Sequence, residues 1–178
     1  MKPLSQAAGI PVWDRFVRLF HWALVGCVVA NFFIVDDGET LHQWLGYAAS
    51  ALVLARVVWG VVGTPYARFS NFFPTPARLR AHLAQMKQHR SAPTAGHNPL
   101  GALMMLSLMA LVLGLGATGF LQTSDYFWGV EWLQTLHERL GQALIAFAGL
   151  HAMAALVMGR LERTHLIRAM VTGVKRTY

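Results

Sequence analysis

Four apolar runs constrain what this chain can fold into more than any other feature of its sequence. They cover roughly residues 16–35, 41–62, 99–121 and 138–159. Each is long enough to cross a bilayer as a helix, which takes about 20 predominantly apolar residues. Only 13% of the 178 residues are charged, whereas a soluble domain carries about 25%. The sequence therefore predicts one all-α integral membrane domain over residues 1–178, a four-helix transmembrane bundle with an inner loop at 63–98.

The placement of charge predicts the orientation of these helices. The two short outer loops hold acidic residues and no Lys or Arg, and the acidic residues are Asp36, Asp37, Glu39, Asp125 and Glu131. If both termini are cytoplasmic, the basic residues of the termini and of the middle loop lie inside, as the positive-inside rule requires. The net charge of +7 then indicates contact with lipid of the inner leaflet, and not with nucleic acid.

Four histidines lie on the predicted helices at two depths, and ionisable residues inside a membrane are usually functional. His137 and His151 are 14 residues apart, which places them on nearly the same helix face, about 40° short of four full turns and about 21 Å apart. The topology permits two stacked bis-histidine haem sites, an outer site of His42 with His137 and an inner site of His21 with His151. An interfacial hydrogen bond is the alternative role of each histidine taken alone.

Glycine follows both outer histidines at helical spacing. The segments His42-Gln-Trp-Leu-Gly46 and His137-Glu-Arg-Leu-Gly141 each place it four positions on, beside the histidine on the same helix face. A flat macrocycle that lies against a helix needs a small neighbour there, so Gly46 and Gly141 are predicted to line a haem. The third helix holds no ionisable residue between Pro99 and Leu121 and is predicted to be scaffold.

Three further residues are candidate partners of a cofactor. Arg56 lies 14 positions after His42 on the same face, and it is predicted either to bind a haem propionate or to snorkel to the inner interface. Arg18, near His21, is either a propionate partner or a positive-inside anchor. His97, just before the third helix, either lines a quinone headgroup pocket, bonds a propionate or has a structural role in the loop.

The remaining polar segments suggest little further chemistry. The single cysteine, Cys27, excludes a disulfide and covalent haem attachment, and paired histidines do not resemble a tetrahedral zinc cluster. Residues 77–89 form either an amphipathic helix on the inner membrane surface or a solvated loop helix, with apolar positions at Leu79, Leu83 and Met86. Three inner histidines are expected to be solvated, namely His82, His89 and His165.

Several of these segments resemble the prokaryotic cytochrome b561 family, which includes the b-type cytochrome subunits of nickel–iron hydrogenases. They are Trp13-Asp-Arg-Phe-Val-Arg-Leu-Phe-His21-Trp22, His42-Gln-Trp-Leu-Gly46, Arg56-Val-Val-Trp-Gly60, Gly96-His-Asn-Pro-Leu-Gly-Ala102, Thr118-Gly119 and the pair His137 and His151. The resemblance covers nearly the whole chain. It implies a bundle in the bacterial inner membrane that holds two b haems, with His21, His42, His137 and His151 as their axial ligands.

The resemblance implies a diheme cytochrome that carries electrons between the quinone pool and a periplasmic partner, such as a c-type cytochrome or a hydrogenase. One alternative is a superoxide oxidase that reduces quinone. It would need a positive funnel for the anion, whereas the outer loops are acidic. The other alternative is a metal-ion or proton transporter. It would need a polar path at mid-membrane, and no acidic residue lies in the middle of any span.

Overall fold

The structure of the chain, a computed structural model, describes residues 9–88, 96–161 and 164–176. Most of these residues are helical. In chain order the elements are β1 (Ile10–Pro11), α1 (Arg15–Phe33), α2 (Thr40–Val62), α3 (Phe69–Phe72), α4 (Pro76–Lys87), α5 (Pro99–Gln122), α6 (Glu131–Leu161), α7 (Leu166–Thr172) and β2 (Val174–Lys175).

Among the described residues, four helices are long and apolar enough to cross a membrane, namely α1, α2, α5 and α6. They match the four predicted apolar runs, so the prediction of an all-α membrane fold is confirmed. The fourth begins at Glu131, ahead of the predicted start at 138. Leu133 in its first turn is buried, and Glu131 suits the positive end of the helix dipole. His137 therefore lies in the second turn of α6.

The chain divides into two compact units, each built from separate stretches of sequence. The first comprises Met1–Arg18, Trp59–Met104 and Leu150–Tyr178, and the second comprises Leu19–Val58 and Met105–Gly149. The boundaries between the units fall inside the four long helices. Of the four predicted ligands, His42, His137 and His21 belong to the second unit and His151 to the first.

In the first unit, the segment before α1 pairs with the end of the chain. β1 and β2 form a short antiparallel ladder, and the backbone amides of Val12 and Trp13 both donate to the carbonyl of Gly173. Gly173 follows α7 with a φ of 83°, a left-handed conformation that favours glycine at a helix end. A Cβ at this position would also press against the backbone of Trp13, at 2.7 Å from its carbonyl oxygen.

α4 is the short helix that the inner loop was predicted to contain. Pro76 occupies its first position, and the hydroxyl of Thr75 caps it by accepting the amide of Arg78 at 3.3 Å. The helix ends at Lys87. The last predicted residue of this helix, His89, lies outside the described residues, so the expectation that it is solvated is not addressed.

The buried face of α4 differs from the predicted apolar face. His82 is 8% exposed, so the prediction that it is solvated is wrong, whereas His165 is exposed as expected. Leu79 and Met86 are half-buried, but Leu83 is 45% exposed. The inward face thus runs through positions 79, 82 and 86, and a histidine occupies the place that the sequence pattern assigned to leucine.

The second unit is held together by small residues and apolar side chains. The Ser50 hydroxyl donates to the Gly46 carbonyl at 2.9 Å, one turn earlier in α2. A side chain at Gly116 of α5 would collide with that hydroxyl, so glycine allows the two helices to approach closely here. Val53 of α2 and Leu144 of α6 are buried apolar residues of this unit.

Candidate haem-binding site

The imidazole rings of His42 and His137 lie close together within the second unit, in an edge arrangement. Their centroids are 6.2 Å apart and their planes differ by 60°. An imidazole nitrogen binds a metal at about 2.0–2.1 Å, and a five-membered ring with bonds of about 1.35 Å has its centre about 1.2 Å from that nitrogen. Two rings on opposite sides of one iron would therefore lie about 6.4 Å apart. The observed separation fits axial ligation of one iron by this pair.

A hydrogen bond determines which nitrogen of His137 is available to a metal. Nδ1 lies 2.8 Å from the Thr118 hydroxyl oxygen. That hydroxyl donates its one proton to the carbonyl of Gly114 at 2.8 Å, within the same helix. It therefore accepts the Nδ1 proton of His137, which leaves Nε2 with its lone pair free to bind iron.

Glycines give the two rings room, but not in the same way. A Cβ on Gly119 would stand 3.3 Å from Cε1 of His137, so glycine avoids a tight contact with that ring. A Cβ on Gly46 would meet no atom closer than the Asn31 side-chain nitrogen at 4.0 Å, and the lining of a haem by this position stays a prediction. Gly141 is buried, and the Phe32 ring occupies the space that its side chain would fill.

His42 is held mainly through its backbone. The Asn31 side chain of α1 donates to the His42 carbonyl at 3.2 Å and so fixes the first turn of α2. Nδ1 of His42 lies 3.8 Å from Oδ1 of Asp37, whose side chain is fully exposed. Within the described residues this nitrogen has no hydrogen-bond partner. The two predicted outer ligands therefore differ in the hydrogen bonds that orient their rings.

The arrangement of donors suits haem better than a metal held by the protein alone. In the described part of the chain, no group of three or more His, Cys, Asp or Glu side chains could hold a metal ion. A structural zinc site needs four such ligands. A haem iron takes its equatorial bonds from the macrocycle and needs only two axial side chains.

The predicted inner ligands lie on the predicted helices. His21 is half-buried on α1, and its ring makes an edge contact with Trp22 at 5.1 Å between centroids. His151 is half-buried on α6. Because His21 belongs to the second unit and His151 to the first, their pairing around an inner haem stays a prediction.

Arg56 is the most deeply buried charged residue among those described, at 1% exposed. A snorkelling arginine would leave its guanidinium at the surface, so burial disfavours that alternative. A guanidinium buried to this degree needs hydrogen-bonded or charged partners. A haem propionate has the charge and the acceptors to be one of them.

Arg18 and His97 both lie in the first unit, among groups that hold the polypeptide together. One guanidinium nitrogen of Arg18 donates to the Val171 carbonyl at 2.7 Å, which ties α1 to α7. The His97 ring lies between two aromatic rings, at 4.7 Å from Trp13 and 4.8 Å from Phe72. The ring contacts support the structural alternative for His97, and the bond to Val171 gives Arg18 a structural role that was not predicted. The cofactor roles of both residues stay predictions.

Two contributors to the outer site were given no role from the sequence, although Thr118 belongs to the segment Thr118-Gly119 that resembles the family. Thr118 orients His137, and Asn31 supports His42. Polar residues inside apolar spans are the signal that could have found both, because each needs a hydrogen-bond partner in the membrane. α5 is therefore more than scaffold, since it carries the group that orients a predicted ligand.

Comparison with known proteins shows the family of the chain. The family described as prokaryotic cytochrome b561 matches residues 12–173. The chain is also similar to a Rhodobacter capsulatus protein described as a probable Ni/Fe-hydrogenase B-type cytochrome subunit, with 21% identity over 219 residues that cover 97% of this chain and 84% of the relative. No solved structure matches the chain. The chain therefore belongs to the prokaryotic cytochrome b561 family, and it is a multi-pass membrane cytochrome of the b type that acts in electron transfer.

Proposed function

We propose that the protein is a diheme cytochrome that transfers electrons across the bacterial inner membrane, between the quinone pool and a periplasmic redox partner. The observation that carries this proposal is the outer histidine pair, whose ring centroids lie 6.2 Å apart and whose His137 ring presents Nε2. Both termini lie in the cytoplasm in this proposal, because basic segments favour the cytoplasmic side of the membrane. The acidic loops then face the periplasm.

Each haem, when bound, supplies a one-electron carrier whose potential depends on its axial ligands and surroundings. His42 and His137 hold the outer group, and His21 and His151 hold the inner group. Thr118 keeps the His137 proton on Nδ1. Gly46 leaves open space beside His42 for a flat ring. Two carriers at different depths on one helix, α6, form a relay across the bilayer.

Arg56 provides a positive charge for the propionates of a haem, which is otherwise largely apolar. Its burial places a positive charge inside the membrane span. We propose that a propionate of the inner haem is one of its partners, since a carboxylate accepts two parallel hydrogen bonds from a guanidinium. The positive charge would also favour the reduced form of a nearby iron, because the ferric form carries one more positive charge.

The periplasmic partner is proposed from charge and from similarity. The described outer turns carry exposed carboxylates, among them Asp36, Asp37 and Asp125, which would attract a partner with a basic face. The similar Rhodobacter capsulatus protein is described as a hydrogenase cytochrome subunit. A hydrogenase or a c-type cytochrome is thus the proposed partner, and quinone in the membrane is the proposed second substrate.

The ligand assignment is tested by counting haems in purified variants. We expect two b haems per chain in a pyridine haemochrome assay of the unmodified protein. His42→Ala and His137→Ala should lose the same haem signal, and His21→Ala and His151→Ala should lose the other. His165→Ala, at an exposed histidine, is the matched control and should retain both. A colourless protein would contradict the proposal. Loss of the same haem signal in His21→Ala and in His42→Ala would also contradict it.

The redox partners and the direction of electron flow are tested by stopped-flow spectroscopy with the two-haem protein. Quinol should reduce the haems, and an oxidised c-type cytochrome should reoxidise them through the outer haem. Haem reduction by superoxide with no reaction toward the c-type cytochrome would instead support a superoxide oxidase.

A further inference from the structure

We propose that Thr118 is the positioning residue of the outer haem. In this proposal its hydroxyl fixes the tautomer and ring plane of His137 and lowers the midpoint potential of the iron which that ring binds. The inference rests on the proposed ligation by His137. It concerns a residue of α5, which supplies none of the predicted ligands.

The hydrogen bonds around Thr118 have one consistent arrangement of protons. The side-chain oxygen lies 2.8 Å from the Gly114 carbonyl, 3.2 Å from the Leu115 carbonyl and 2.8 Å from Nδ1 of His137. Both carbonyls can only accept, and a hydroxyl has one proton to donate. That proton therefore goes to the backbone, and the imidazole is the donor. Thr118 is itself buried, so water does not compete strongly for these bonds.

The neighbouring residue restricts the ring from another direction. A Cβ on Gly119 would already lie 3.3 Å from Cε1 and 3.8 Å from Nδ1 of His137. The ring thus rests against the backbone of α5 while its Nδ1 is tied to the hydroxyl beside it. Rotation about the side-chain bonds of His137 would break the hydrogen bond or move the ring off this surface. One orientation of the ring is therefore favoured before a cofactor binds.

The opposite ligand lacks such a partner. Nδ1 of His42 forms no hydrogen bond to any residue that the structure describes. Its polar neighbour is Asp37, at 3.8 Å and fully exposed to solvent. Orientation of the ligand pair, described by the 60° angle between the two planes, therefore depends mainly on Thr118.

The sign of the effect on potential follows from ligand basicity. A hydrogen bond from Nδ1–H to an acceptor raises the basicity of the metal-binding nitrogen. A more basic ligand stabilises ferric iron more than ferrous iron, so the bond lowers the potential. Removal of the acceptor should raise the potential and loosen the ring plane.

The experiment compares Thr118→Val with Thr118→Ser in the complete chain. Valine keeps the branched shape and removes the hydroxyl, whereas serine retains the hydroxyl. Thr123→Val is the matched control, because the exposed Thr123 hydroxyl also donates to a carbonyl three residues back, that of Phe120 at 2.7 Å. Haem content, redox potential and the low-spin ferric EPR spectrum are measured for each. The outer haem is identified as the signal lost in His42→Ala.

In Thr118→Val we expect the reduced-to-oxidised ratio of the outer haem at a fixed potential to rise at least threefold, which is about 28 mV at 59 mV per decade for one electron. The outer EPR signal, which depends on the angle between the imidazole planes, should shift. Thr118→Ser should restore both properties, and Thr123→Val should leave them unchanged. If Thr118→Val does not accumulate, Thr118→Ala gives the same comparison.

The outcomes separate this inference from the proposed function. An unmodified protein without two b haems would overturn the proposed function itself. Two b haems in the unmodified protein, together with an outer potential and EPR spectrum in Thr118→Val that equal those of the unmodified protein, would overturn only the role of Thr118. A shift that serine fails to reverse would also overturn it, because packing would then be the cause.

Discussion

The carboxylate of Asp14 accepts a hydrogen bond of 2.7 Å from the Thr64 hydroxyl and so joins the residue before α1 to the residues just after α2. The indole nitrogen of Trp59 donates to the same oxygen at 3.0 Å, and the amide of Val17 donates to the other oxygen at 2.8 Å. Asp14 therefore caps one helix and ties it to the end of another within the first unit.

Removal of this carboxylate should destabilise the protein. Asp14→Ala leaves the half-buried donors of Trp59 and Thr64 without their acceptor, and the net loss is about 0.5–1.5 kcal/mol for each hydrogen bond. A lower melting temperature in detergent at neutral pH is the expected result. Asp125→Ala removes an exposed carboxylate and is the control, with no change expected. Equal melting temperatures for Asp14→Ala and the unmodified protein would contradict this structural role.

The same carboxylate should make stability depend on pH in the acid range. Burial alone raises the pKa of Asp14, but hydrogen bonds from Thr64, Trp59 and two backbone amides outweigh it and hold the pKa below its ordinary value of 3.8. The contribution of Asp14 is therefore complete above pH 3.8 and is lost as pH falls through the lower folded-state pKa. The difference in melting temperature between the unmodified protein and Asp14→Ala should persist from about pH 7 down to about pH 5 and shrink below about pH 4. A melting-temperature difference that grows on acidification would contradict a lowered pKa of Asp14.

A side chain at Gly119 should disturb the outer haem. The Cβ of Gly119→Ala would lie 3.3 Å from His137, so the ring must shift slightly, whereas Gly119→Val should displace it from its hydrogen bond. We expect the outer haem to be partly lost in Gly119→Val while the inner haem is retained, as measured by the haemochrome assay. Gly26→Ala is the control, because a Cβ at Gly26 meets no atom within 4 Å. Full outer occupancy in Gly119→Val would show that the ring tolerates displacement.

Replacement of Arg56 should affect the inner haem through charge. Arg56→Met removes a buried positive charge and should lower the inner haem potential. The ferric form carries one more positive charge than the ferrous form, so it gains more when the repulsion from Arg56 is removed. Arg56→Lys keeps the charge but not the fork of donors and should have a smaller effect. Redox titration in detergent measures both. Arg80→Met, at an exposed position on α4, should leave the potential unchanged. An unchanged inner potential in Arg56→Met would rule out a propionate partner.

Neutralising the outer carboxylates should slow electron transfer to a basic partner. The combined variant Asp36→Asn, Glu39→Gln and Asp125→Asn changes exposed residues and spares Asp37, the neighbour of His42. We expect a several-fold lower association rate with a basic c-type cytochrome at low salt, and a weaker dependence of that rate on ionic strength. Lys87→Gln, in the inner loop, is the control. Rates that rise on neutralisation would indicate an acidic partner instead.

Some properties of the outer site could be predicted without the structure, and others could not. Hydropathy and helical spacing placed His42 and His137 on separate spans at one depth, because both signals are local in sequence. The same signals missed the early start of α6, where the turn before His137 is held by the burial of Leu133. They also missed the burial of His82, because a polar residue on a short amphipathic helix carries no local sign of what covers it.

The sequence by itself determined the membrane class, the number of spans, the sign of the charge in each loop and the position of each histidine along its helix. These follow from composition and periodicity along the chain, because a membrane span must match the apolar thickness of the bilayer. Only the tertiary structure decided that the Thr118 hydroxyl lies 2.8 Å from Nδ1 of His137, that Phe32 fills the space beside Gly141, and that Arg56 is buried. Those relationships join side chains from different helices, and their distances depend on packing that no single segment encodes.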